Sequence, residues 1–94
     1  MSVAYISHPD CRLHDMGAHH PECPARLAAI EDQLVASGRA HFLEHVEAPL
    51  ASREQLERVH APEYITALEQ VAPERGLVHL DPDTAMCPHT LRAA

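Results

Sequence analysis

Cys11, His14, His19, His20 and Cys23 fall within thirteen residues, a dense run of metal-ligating side chains. Imidazole nitrogens and thiolates are the ligands zinc prefers in a tetrahedral site, so this run offers structural zinc chemistry. A plainer reading stands beside it. Free cysteine is often a small buried hydrophobe, and nine histidines in 94 residues cluster readily by chance. A second group is Asp81-Pro82-Asp83-Thr84. These residues read as a turn, which Asp-Pro favours. Arg26 can pair with Glu22 one helical turn earlier or cap neighbouring carbonyls.

The elements that position these groups follow from pattern and punctuation. Val3-Ala4-Tyr5-Ile6 reads as a short buried strand that stops at the His8-Pro9-Asp10 turn. Residues 7–23 then form a loop rich in His, Asp and Gly. Pro24 suits the first position of a helix, where its missing N–H is harmless. Leu27, Ile30 and Leu34 share one face of that helix and are expected in the core. Gly38 can end it in a left-handed conformation. Residues 42–48 form a second strand, so strand, helix and strand imply a right-handed parallel crossover. Ser52-Arg53-Glu54-Gln55 is a capping box that opens a helix with Leu56 and Val59 on its apolar face. Pro62 opens another, carrying Tyr64, Ile65, Leu68 and Val71. Leu77 to Leu80 is a short apolar run before the Asp81–Thr84 turn. Pro88 opens a last helix that reaches Ala94 without a stop signal, so residues 1–94 read as the front of a longer domain.

Composition narrows the function classes. Hydrophobic residues make up 46% of the chain, so disorder is disfavoured, and aromatic residues only 3%, so the core is thin. The net charge is −7, with no lysine and seven scattered arginines, which disfavours direct nucleic-acid binding. No apolar run approaches a membrane span. Three cysteines cannot all pair with one another, which fits a reduced cytoplasmic setting.

Four segments in order resemble the histone deacetylase-like, or acetoin-utilization-type, metallohydrolases of the arginase/deacetylase superfamily. Val3 to Ile6 resembles the opening strand. His20-Pro21-Glu22-Cys23-Pro24-Ala25-Arg26-Leu27 resembles the family's His-Pro-Glu-x-Pro-x-Arg-Leu motif. Leu56 to His60, followed by Tyr64, resembles Leu-x-x-Val-His-x-x-x-Tyr. Asp81 to Thr84, followed by Pro88, Ala93 and Ala94, resembles the Asp-x-Asp-Thr loop and its helix.

The resemblance implies an α/β fold, the N-terminal portion of an arginase/deacetylase domain, with short parallel strands and three to four helices. It implies zinc-dependent hydrolysis of an acetyl-amide, on an acetylated small molecule or an acetyl-lysine protein. The catalytic zinc ligands are expected beyond residue 94, so residues 1–94 alone are expected to be inactive and to self-associate through open sheet edges. No catalytic residue is assigned here. The His19-His20 tandem precedes Pro-Glu, whereas the family's catalytic tandem follows Pro-Gly. Arg26 corresponds to the arginine beside the family's internal channel. Asp83, or else Asp81, corresponds to the rim aspartate that accepts hydrogen bonds from the substrate backbone. Class IIa deacetylases carry a structural zinc in the matching loop, which makes His14, His20 and Cys23 candidate ligands. The fourth, a distant cysteine, would fall near Arg75, leaving His79 or Cys87 as substitutes. The competing expectation is a small zinc-binding or protein-interaction module.

Overall fold

A computed structural model describes residues 2–94. Strand β1 (Val3–Ser7) pairs in parallel with β2 (Leu43–Glu47), from Val3 opposite Leu43 to Ser7 opposite Glu47. Helix α1 (Ala25–Ala36) connects them, as expected of two parallel strands, which need a long crossover. Pro24 stands at its N-cap already in helical conformation, and Gly38 follows its end at φ +76°, a value that favours glycine. The loop before α1 is partly ordered, because Pro9–Arg12 form a 3₁₀ turn capped by His8, whose Nδ1 accepts the Asp10 N–H at 3.0 Å.

Helix α2 (Arg53–Glu57) begins with the expected capping box: Ser52 Oγ accepts the Gln55 N–H at 3.2 Å, and Gln55 Oε1 accepts the Ser52 N–H at 2.8 Å. Helix α3 (Pro62–Val71) carries Pro62 in its first turn. Arg53 joins the two helices. Its guanidinium donates to Glu57 Oε1 at 3.0 Å, Glu69 Oε1 at 3.1 Å, Thr66 Oγ1 at 2.8 Å and the Pro62 carbonyl at 2.8 Å.

The C-terminal part departs from the sequence reading. Residues 81–84 do not simply end an apolar run. They turn an antiparallel hairpin between β3 (Val78–Asp81) and β4 (Thr84–Met86). The strands are therefore not all parallel. A short helix, α4 (Thr90–Ala93), follows.

Among the described residues, the buried apolar ones are Ile65 of α3 and the run Ala85, Met86 and Cys87. Leu27 and Leu34 are only half-buried, and Ile30 is exposed. That apolar face of α1 borders an open cleft of about 450 Å³ with Tyr5 and Ile6 of β1. Val59, expected on the apolar face of α2, lies beyond the helix and is exposed. Phe42 is 82% exposed and Ile6 63%.

These exposures belong to an open shape. The radius of gyration is 15.6 Å, against about 12 Å for a self-contained domain of this length. The accessible surface is 7230 Å², against roughly 5,400 Å² for a folded monomer of this mass. Among the described residues, no helix is long and apolar enough to cross a membrane.

Candidate functional site

The histidine-rich loop and the C-terminal hairpin form one joint, built from residues 63 to 82 positions apart in sequence. Its outer edge is His20 on Asp83. His20 Nε2 lies 2.9 Å from Asp83 Oδ1 and 3.1 Å from the Asp83 carbonyl oxygen, while its Nδ1 accepts the Glu22 N–H at 3.0 Å. The hairpin tip is itself shaped by an aspartate turn, in which the Asp83 N–H donates to Asp81 Oδ1 at 2.8 Å. The Asp83 side chain is 91% exposed, whereas His20 is largely covered. The hydrogen bond to Asp83 pushes the His20 pKa above the ordinary histidine value, against the opposing effect of burial.

The inner part of the joint centres on Cys87 and Thr90. The Cys87 thiol donates to the Leu13 carbonyl at 3.4 Å, and its sulfur accepts the Asp15 N–H at 3.4 Å. Thr90 Oγ1 accepts the Cys87 N–H at 2.8 Å and is hydrogen-bonded to His14 Nδ1 at 2.8 Å. Burial pushes the Cys87 thiol pKa up, but hydrogen bonds from Thr90, the Asp15 amide and the His89 backbone outweigh it, so the net displacement is downward. Arg92 Nε donates to Asp10 Oδ2 at 3.1 Å and closes the far end.

This arrangement does not assemble the expected zinc set. His14 is engaged with Thr90 and His20 with Asp83, while Cys23 is a half-buried free thiol. Among the described residues, no three His, Cys, Asp or Glu side chains converge to hold a metal ion. The proposed substitutes do not complete it: Cys87 is buried under the loop, and His79 is exposed on β3. Nor do these residues fit the catalytic zinc that the resemblance implies. Arg26, in the first turn of α1, pairs with Glu22 just before the helix, and its side chain is 57% exposed.

What the structure does bring together is the His-Pro-Glu segment and the Asp-x-Asp-Thr loop. The histone deacetylase domain model matches residues 20–94, which begins at His20 and includes both. The chain belongs to the histone deacetylase domain family. An uncharacterized protein of Synechocystis, slr0245, is 36% identical over 96 residues, which cover 98% of this chain and 31% of the relative. The crystal structure of the HDA15 HD domain superposes with a TM-score of 0.77 at 24% identity, over 98% of this chain and 28% of that one. The likeness shows the fold, and the α/β arrangement described above is part of an arginase/deacetylase domain. This histone deacetylase-family chain spans about a third of the length of the curated relative it matches.

Sequence reasoning missed Thr90 and Arg53. Nothing in the local pattern marks Thr90: it is the first residue of α4, whose N-cap, His89, makes no side-chain cap. Arg53 sits inside a capping box, and nothing local marks it as the tie between two helices.

Proposed function

We propose that residues 1–94 form the N-terminal wall of a zinc-dependent deacetylase acting on acetyl-amides, either an acetylated small molecule or an acetyl-lysine protein. The observation that carries this reading is the joint between His20 and Asp83. It holds a carboxylate at an exposed hairpin tip, within a chain whose match to the histone deacetylase domain begins at that histidine. Asp83 is the rim acceptor for substrate N–H groups, with Asp81 shaping the turn beneath it. Arg26 borders the internal channel. The Glu22 pair fixes its guanidinium, and the other guanidinium N–H groups have no partner among the described residues. The setting is cytoplasmic.

Zinc belongs to this reading through the family. When bound in such enzymes it acts as a Lewis acid on the amide carbonyl. Among the described residues no three His, Cys, Asp or Glu side chains converge on a metal site; in this reading the catalytic ligands lie outside them, and residues 1–94 turn over no substrate by themselves. Incubating the pure 94-residue chain with an acetyl-lysine peptide and zinc tests this directly. No acetate release is expected. Sustained hydrolysis by the chain alone would contradict the reading.

A further inference from the structure

The Glu22 N–H donates to His20 Nδ1, so in the neutral ring the proton sits on Nε2, the nitrogen facing Asp83. That N–H reaches both Asp83 Oδ1 and the Asp83 carbonyl, and the Asp83 N–H is held by Asp81. Of the polar atoms of Asp83, only Oδ2 has no partner among the described residues. An aspartate this exposed would otherwise sample several rotamers, and ordering it would weaken any ligand it receives.

We infer that His20 is a positioning residue for Asp83: it fixes the carboxylate on the hairpin tip before a ligand arrives and leaves Oδ2 as the acceptor for an amide N–H. The inference rests on the reading of Asp83 as the rim acceptor. A substrate with amide N–H groups flanking its acetyl-lysine gains from the fixed carboxylate. One without such donors gains nothing.

The test is NMR titration of the isotope-labelled 94-residue chain with two probes. One is an acetyl-lysine peptide with free flanking amides, and the other is the same peptide with those amides N-methylated. Wild type is expected to prefer the first. His20→Ala should reduce that preference roughly three- to tenfold, the effect of one hydrogen bond. His20→Gln, which keeps an N–H donor, should stay within about twofold of wild type. Asp83→Asn should also reduce the preference, and adding His20→Ala to it should change nothing more. A purely structural tie would shift both probes equally and leave the preference intact. If Asp83→Asn abolishes the preference and His20→Ala does not, the positioning role is wrong and the rim reading survives. If Asp83→Asn has no effect, or wild type shows no preference, both fall. Long-range ¹⁵N spectra give an independent check: a proton on Nδ1 rather than Nε2 would overturn the pairing whatever the titrations show.

Discussion

The joint between the loop and the hairpin contrasts with the β1–β2–α1 layer. In the joint, Ala85, Met86 and Cys87 are buried, and side chains from distant segments satisfy one another's polar groups. In the layer, two parallel strands pair correctly, yet Val3, Ile6 and Val46 remain exposed and α1 leaves an open cleft beside them. Parallel sheets are ordinarily covered on both faces. The joint thus contains most of what it needs, while the layer lacks surfaces to pack against and offers open edges for self-association.

Truncations on the two sides should separate them most. Met86→Ala removes a side chain only 3% exposed and is expected to cost about 2–4 kcal/mol. Ile6→Ala should cost less than about 1 kcal/mol, because most of that side chain is already in water. Urea unfolding measures both, and equal losses would erase the distinction. Next in size is Arg53→Ala, which removes three hydrogen bonds from α2 to α3 and one within α2. Their partly exposed setting limits the loss to about 1 kcal/mol, with Arg53→Lys recovering only part of it because a point charge cannot fork.

Titration should divide the regions by sign. In the layer, the Arg12 hydrogen bond holds the Glu31 carboxyl below the usual glutamate value, with a further hydrogen bond from the Tyr5 hydroxyl. Its contribution is present above the unfolded value near 4.3 and is lost as pH falls through the depressed folded value. In the joint, the raised His20 pKa reverses the sign. Its contribution is complete below about pH 6.5 and fades as pH rises through the folded value. Acid should therefore loosen the layer, and mild base the joint. Chemical shifts of Tyr5 and Thr84 followed against pH report each side, and Asp83→Asn should flatten only the second curve.

The same contrast explains what could be read from sequence. β1, α1, the capping box and the Pro62 helix were legible because their signals are local: strand-forming residues, helical spacing and caps. Strand β4 was not, since three residues give no period and Asp-Pro-Asp reads as a plain turn. The burial of Leu27, Ile30 and Leu34 was overestimated because periodicity names a face but not the surface that covers it. The His20–Asp83 contact spans 63 residues, and no local spacing encodes it. Family resemblance made Asp83 a candidate rim acceptor and His20 a candidate structural-zinc ligand, but only folding showed that they touch. The run of histidines and cysteines could not be resolved from sequence for a related reason. Suitable ligand types lie close in sequence, while in the fold His14 bonds Thr90 and His20 bonds Asp83.

Zinc titration of the 94-residue chain, followed through the His14, His20 and Cys23 resonances with a chelator control, tests most directly whether this loop is a joint or a metal centre. The joint requires the three sets of signals to stay in place as zinc is added. Stoichiometric, chelator-reversible movement of all three together would contradict it.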